Sequence, residues 1–334
     1  MRRLIGSKSI LPRHILKTGL LGLACLQLTA CQYRSKSDTY ILVANNLKLP
    51  YWQSVQAGFN QAASEYVVTA RVMGPDNYDP KAEEDALNSA VRFHPAGILV
   101  SAADAAAVTE GIRSANAAGI PVITIDSDAP YSARLFFIGT NNIEAGHVGG
   151  RRLVERLGGK GNVVVYSISG QPNIDERLKG YKDILAGSPG IKIVDVTSTR
   201  GDSGDAFDRT GEYLGRSGPN RIDAFVALES TSGNAIAEVL KRKNITDRVV
   251  IAMDVDADTL KYIDEGTIDS TISQKPFTMG YVGLRELDSI HHDPHHSYRS
   301  TYSADPKAPY PAFMDTGSTL ITKLNVTAFQ QYMK

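Results

Sequence analysis

From Tyr40 onward one pattern recurs along the chain: a short apolar run rich in β-branched residues, then an amphipathic stretch of helical length. Tyr40-Ile41-Leu42-Val43-Ala44, Val67 to Met73, Gly97-Ile98-Leu99-Val100 and Pro121-Val122-Ile123-Thr124-Ile125-Asp126 read as strands. Residues 51–66, 80–92 and 104–118 between them have helical spacing. The series then begins again. Asn162 to Tyr166, Ile191 to Val196, Ala224 to Ala227 and Val249 to Met253 read as strands, each followed by a helical stretch at 174–187, 204–216, 231–242 and 257–264. Apolar runs without polar alternation belong to strands covered on both faces, and strands separated by helices pair in parallel. The expected fold class is therefore α/β, with two doubly wound parallel-sheet lobes of similar size. The stretch from His291 to Pro311 has no periodicity and reads as a long surface loop.

The length agrees with two units, since 334 residues exceed what one core of about 250 residues holds. Thirty-six basic residues balance 36 acidic ones. That balance argues against a nucleic-acid partner, which selects a basic excess. The only cysteines are Cys25 and Cys31, so the body after them has no thiol, disulfide or cysteine-based metal site.

The start of the chain reads as an address. Arg2, Arg3, Lys8, Arg13 and Lys17 precede an apolar run from Leu20 to Leu28, and no acidic residue occurs before Asp38. The run is too short to span a bilayer and fits a secretory signal peptide. It ends in Leu28-Thr29-Ala30-Cys31, which resembles the bacterial lipobox. That resemblance implies cleavage after residue 30 and lipidation of Cys31. Residues 31–38 would then form a polar tether to a cell-envelope membrane, with the body in the periplasm.

Ligands of open parallel sheets sit beyond the carboxyl ends of the strands. Asn45, Ser101 and Asp126 follow strands of the first unit, and Glu229 and Asp254 follow strands of the second. Polar residues at strand ends in both units point to a cleft between two lobes.

Six segments carry a family resemblance: Pro50-Tyr51-Trp52, Gly119 to Asp126, Ile138-Gly139-Thr140-Asn141, Glu176-Arg177 with Gly180-Tyr181, Ala252-Met253-Asp254, and Thr271 to Pro276. In this order and spacing the chain resembles the type I periplasmic binding proteins of the ribose-binding branch, which also supplies the sensor body of LacI-type repressors. The resemblance covers nearly everything after Asp38. It implies crossings between lobes near Thr140, Gln274 and Asp315, so that 39–140 plus 275–314 form the first lobe and 141–274 plus 315–334 the second. It also implies roles. Asp126 accepts from sugar hydroxyls, Arg177 donates its planar fork, and Asp254 and Gln274 take further hydroxyls. Tyr51 and Trp52 stack on sugar faces, and Asn45 and Ser101 are polar first-lobe contacts. Three positions depart from the ribose pattern: Leu49 and Glu229 stand where asparagines are usual, and Ser127 where an arginine is. Glu229 is left with two readings, a partner of Arg177 or a counter-charge for a ligand cation.

Other motifs are set aside. Gly201-Asp202-Ser203-Gly204 mimics a serine-protease loop in the wrong fold class, and Asp315-Thr316-Gly317-Ser318 is a single copy of a signature that needs two carboxylates. His291-His292-Asp293-Pro294-His295-His296 could hold a metal, but the expected reading is a solvated loop without one. The expected function is a non-enzymatic, monomeric solute receptor of an ABC-type importer. It closes by hinge bending on a monosaccharide or polyol, needs no cofactor, and docks on a membrane permease. The alternative partner is a chemoreceptor or sensor kinase.

Overall fold

The computed structural model describes residues 34–292, 308 and 310–332. Cys31 and the signal region, like His295 and His296, lie outside the described residues.

The first half of the chain runs β1 (Thr39–Val43), α1 (Pro50–Tyr66), β2 (Thr69–Met73), α2 (Pro80–Arg92), β3 (Gly97–Val100), α3 (Ala105–Ala117), β4 (Val122–Ile125) and β5 (Phe137–Gly139). The second runs α4 (Asn142–Leu157), β6 (Lys160–Ser167), α5 (Pro172–Leu185), β7 (Gly190–Ser198), α6 (Ser203–Tyr213), β8 (Ala224–Ala227), α7 (Ser232–Arg242), β9 (Val249–Met253), α8 (Ala257–Glu265) and β10 (Ser270–Ser273). Four elements close the chain: α9 (Pro276–His292), β11 (Phe313–Asp315), β12 (Thr319–Thr322) and α10 (Val326–Tyr332).

The strands form two six-stranded sheets, ordered β11-β5-β4-β3-β1-β2 and β12-β10-β9-β8-β6-β7. Every pairing in the first sheet is parallel. In the second, β12 runs antiparallel to β10 at the edge. The fold is thus two α/β lobes, with one antiparallel edge strand that the purely parallel expectation did not include. The chain passes from one sheet to the other three times, between β5 and α4, between β10 and α9, and between β11 and β12.

The unbroken apolar runs have a direct cause. In β1, Tyr40 and Leu42 pack with Trp52, Phe59, Leu284 and Leu287 on one face, while Ile41 and Val43 pack with Leu87 and Ile112 on the other. The second sheet repeats this: Val164 and Phe225 face Ile236 and Leu260, and Val163 and Val165 face Leu153 and Tyr181. With both faces covered, each fully buried large apolar side chain contributes about 1.5–3 kcal/mol. The helices start on local signals. Pro50, Pro80 and Pro172 occupy the first helical position, and Asp79, Asp104, Asn141, Asp202 and Asp256 cap from their side chains.

In each lobe one helix pair meets through glycine. A Cβ on Gly58 would lie 2.0 Å from the Phe277 carbonyl oxygen, and one on Gly280 2.1 Å from that of Val55, which joins α1 to α9. A Cβ on Gly146 would lie 2.2 Å from the Arg177 carbonyl oxygen, and one on Gly180 2.2 Å from that of Ile143, which joins α4 to α5. Backbones this close tolerate no side chain.

Two stretches differ from expectation. Helix α4 and most of α9 had not been assigned from periodicity. His291 and His292, placed in a surface loop by the sequence reading, instead form the last turn of α9. Apolar residues earlier in that helix, including Met279, Leu284, Leu287 and Ile290, carry it that far.

Candidate functional site

Each sheet has its reversal of strand order between its first and third strands, β1 and β3 in one lobe and β6 and β8 in the other. Residues beyond the carboxyl ends of strands in both sheets meet in one place. An inner pocket of about 50 Å³ is lined by Asn45, Tyr51, Trp52 and Asp126 from the first lobe and by Arg177, Glu229, Asp254 and Gln274 from the second. Eight of the nine expected site residues therefore converge. The ninth, Ser101, does not reach the pocket. It is fully buried behind Asp126 and donates its hydroxyl to Asp126 Oδ2 at 3.2 Å. Ser101 is thus a support for the carboxylate and not a contact of its own.

Asp126 and Asp254 both have left-handed backbones, with φ of 61° and 68°. Aspartate is among the few side chains that tolerate this conformation. Neither residue is a helix cap: the element after Asp126 is the strand β5, and Asp256 caps the helix that follows Asp254. Asp126 Oδ1 accepts from the Tyr51 hydroxyl at 2.8 Å, and Oδ2 accepts from Asn173 Nδ2 at 3.3 Å across the lobe boundary. The Tyr51 ring meets Trp52 edge to face, with centroids 5.7 Å apart. Tyr51 is thus held by its hydroxyl as well as by its ring. Trp52 is part of the first lobe's core and also lines the pocket.

Arg177, on α5, is buried and its guanidinium lies in the pocket. Nε donates to Asn142 Oδ1 at 2.9 Å, one terminal nitrogen to the Leu228 carbonyl at 2.8 Å and the other to Gln274 Oε1 at 3.0 Å. A guanidinium has five donors, so two N–H bonds remain. Gln274 passes the polarity on, donating to Asp254 Oδ1 at 2.7 Å and accepting from Thr140 at 2.8 Å.

Glu229 departs from the first of its two sequence readings, a partner of Arg177. Its carboxylate accepts from the Thr231 amide at 2.6 Å, the Thr231 hydroxyl at 2.5 Å and the Ser232 amide at 3.1 Å. It therefore anchors the start of α7 and makes no ion pair with Arg177. At the other departures from the ribose pattern, Leu49 lines the pocket, and Ser127 is buried with no hydrogen-bond partner for its hydroxyl among the described residues.

The pocket walls bear three carboxylates and one guanidinium. Burial raises Asp126 above the usual carboxylate range, opposed by Arg177 and the Tyr51 hydroxyl. Burial also pushes Asp254 up to about 7; Arg177 and Gln274 pull it down, and Asp126 and Glu229 push it further up. Tyr51 is raised well above its usual value, mainly by burial and then by Asp126. Three buried amide oxygens lining the pocket, those of Asn46, Gln171 and Asn173, have no donor among the described residues. Sequence reasoning had missed all three. Gln171 and Asn173 flank Pro172 at the start of a helix, a place where the chain turns toward the cleft.

A pocket of 50 Å³ holds a few water molecules and no monosaccharide. The larger space, about 1130 Å³, is a groove between the lobes, bordered by Pro50, Ser54 and Phe277 on one side and Phe207, Asn234 and Asp256 on the other. It shares Leu49, Tyr51, Ser230, Thr231, Asp254 and Gln274 with the inner pocket and is its approach. The polar side chains, not the larger volume, mark the site.

Comparison with known proteins agrees with this geometry. Residues 40–290 match the family model of the periplasmic binding protein domain. The ribose import binding protein of Bacillus subtilis is 24% identical over 291 residues, covering 82% of this chain and 92% of that protein. An ABC transporter solute-binding protein from Burkholderia graminis, solved with D-arabinose, superposes with a TM-score of 0.79 at 28% identity, over 88% of this chain and 98% of its own. A sugar-binding protein of a sugar ABC transporter from Bacillus halodurans is 32% identical with a TM-score of 0.74, over 87% of this chain and 99% of its own. These relatives are binding proteins of transporters and not enzymes. With its two-lobed fold, and a family match across three quarters of its length, the chain belongs to the periplasmic binding protein family, in the type I, ribose-binding branch.

Proposed function

We propose that this chain is the substrate-binding lipoprotein of an ABC-type sugar importer, and that it closes its two lobes on a monosaccharide or related polyol. The observation that carries the reading is the pocket wall: carboxylates of Asp126 and Asp254 from opposite lobes, the two spare donors of Arg177, and three orphaned amide oxygens. That set is rich in acceptors. A ligand with many hydroxyl donors satisfies it, and an apolar or anionic one leaves buried acceptors unpaired at about 1–3 kcal/mol each. Tyr51 and Trp52 supply an aromatic wall for the C–H face of a ring. Closure is ligand-driven, because only in the closed form do both lobes touch the guest. Relatives named for ribose import and solved with D-arabinose support a pentose-sized guest. Cys31 at the end of the signal pattern supports a lipid anchor that holds a monomeric body in the periplasm, near its permease.

Thermal shifts of the mature protein against pentoses, hexoses, polyols and amino-sugars test this. A ligand at 100 times its dissociation constant stabilises by about 2.7 kcal/mol, an easily measured rise in melting temperature. Asp126→Asn should abolish the shift while the unliganded protein still unfolds cooperatively. A panel without any shift, or a variant that binds as the parent does, refutes the reading.

A further inference from the structure

The opposite edge of the first lobe carries a second cluster of ligating side chains, remote from the cleft. Asp38 immediately precedes β1, and His291 and His292 end α9. One ligand atom from each of the three lies within 4.8 Å of the others. His292 Nε2 is 3.4 Å from Asp38 Oδ2 and 3.5 Å from Asp288 Oδ1. Both His292 ring nitrogens are buried, yet neither has a hydrogen-bond partner among the described residues. Bonds of about 2.0–2.1 Å to a tetrahedral zinc ion place ligand atoms roughly 3.3–3.4 Å apart, which the 3.4 Å between His292 and Asp38 matches.

The carboxylates are oriented from behind. Asp288 has no exposure; its Oδ2 accepts from Arg34 Nε at 2.6 Å and its Oδ1 from the Tyr40 hydroxyl at 3.3 Å. Asp38 Oδ2 accepts from the Ser35 amide at 2.8 Å. The His291 ring is set edge to face against Tyr40 and against His292, with centroids 6.3 and 5.0 Å apart. Ligating carboxylates and imidazoles are ordinarily held by such outer contacts. We propose that Asp38, His291 and His292 bind a zinc ion that clips the segment entering β1 to the end of α9, with the fourth position left to water. Two imidazoles with one carboxylate, and no thiolate, suit zinc, although nickel and copper compete for such sets. The ion would fix how the folded body leaves residues 34–38, and with them the direction of the tether.

The competing account is an imidazolium at His292 sitting between two carboxylates, and the two are separable. The full chain, purified without a polyhistidine tag and stripped with a chelator, is titrated with zinc chloride by calorimetry, and its retained metal is counted by mass spectrometry. One zinc per chain and a raised melting temperature are expected. Asp38→Ala and His292→Ala should each weaken binding about 100-fold or more, since loss of an outer-shell partner alone costs 10–100-fold. The His295→Ala/His296→Ala double variant should bind as the parent does. If His292→Ala does not fold, cobalt replaces zinc in the parent chain, and the intense visible bands of a tetrahedral site are expected. Absence of stoichiometric zinc, an octahedral cobalt spectrum, or binding that survives Asp38→Ala but is lost with His295 and His296 overturns the proposal.

Discussion

Asp254→Asn should uncouple the open–closed equilibrium from pH. In the cleft as the structure holds it, burial pushes the Asp254 carboxyl up to about 7; Arg177 lowers it, and Asp126 and Glu229 raise it. Opening the cleft returns the group to water and toward its ordinary value of about 4. A carboxyl whose closed-state value is the higher one binds its proton more tightly when closed. Closure of the unliganded protein therefore takes up a proton between about pH 4 and 7, and acidification favours the closed form. With these two values, moving from pH 5 to pH 8 costs closure between about 2 and 3 kcal/mol, or roughly a hundredfold in the closed-to-open ratio. That figure is a ceiling, because an open lobe keeps part of the burial. Asparagine keeps the shape, tolerates the φ of 68° and can still accept from Gln274 Nε2, but it has no proton to take up in this range. The assay is small-angle scattering, or a label pair across the cleft, on the sugar-free protein at pH 5 and pH 8. The parent should be more compact at pH 5, and the variant should lose most of that difference. A parent that opens on acidification, or a variant with undiminished pH dependence, refutes the electrostatic account.

Three further outcomes follow from contacts around the pocket. Gly180→Ala would drive a Cβ into the Ile143 carbonyl and should cost about 1–3 kcal/mol in urea unfolding, with weaker ligand binding because α5 carries Arg177. A Gly180→Ala protein of parental stability would show that the two helices can part freely. Glu229→Ala removes the acceptor for the Thr231 and Ser232 amides and should destabilise by about 1 kcal/mol while lowering the Asp254 pKa, measurable by NMR titration. Arg177→Lys keeps the charge but cannot reach Asn142, Leu228 and Gln274 together, so ligand affinity should fall at least tenfold with the fold retained, as read by calorimetry.

The architecture was legible because its cause is local. Strands such as Ile98-Leu99-Val100 are apolar at every position, and only two covered faces explain that. Asp126 and Asp254 were legible because strand ends in such sheets are where ligands sit, and Arg177 because the segment around it resembles the family's. What could not be read depends on which way a side chain turns once the chain is folded. Glu229 looks like a free charge in the chain, yet its acceptors are spent on two amides only two and three residues ahead. Ser101 sits at a strand end like Asn45, but its side chain turns onto Asp126 and misses the pocket. Asn173 carries no sequence signal, since its value lies in a contact with Asp126, 47 positions away. The antiparallel β12 and the helical state of His291 and His292 likewise depend on what lies beside them.

The two lobes solve one problem twice. Each sheet reverses its strand order beside its first strand, and each ends its fourth strand, β4 or β9, in an aspartate held left-handed. Each also fixes a helix that bears site residues, α1 with Tyr51 and Trp52 or α5 with Asn173 and Arg177, by a glycine crossing onto a neighbour. The carboxylates are thus set by backbone and the facing groups by helix packing. Rotation of one rigid lobe against the other then moves an entire half-site without disturbing its internal geometry. Among the described residues, Thr140 bonds Gln274 near the lobe crossings, and the bond that spans the cleft itself is Asn173–Asp126 at 3.3 Å, a long and weak contact. The Arg177–Gln274–Asp254 chain, by contrast, lies on residues of the second lobe and travels with it. With so few hydrogen bonds spanning the cleft itself, the closure proposed above would draw its free energy from the guest.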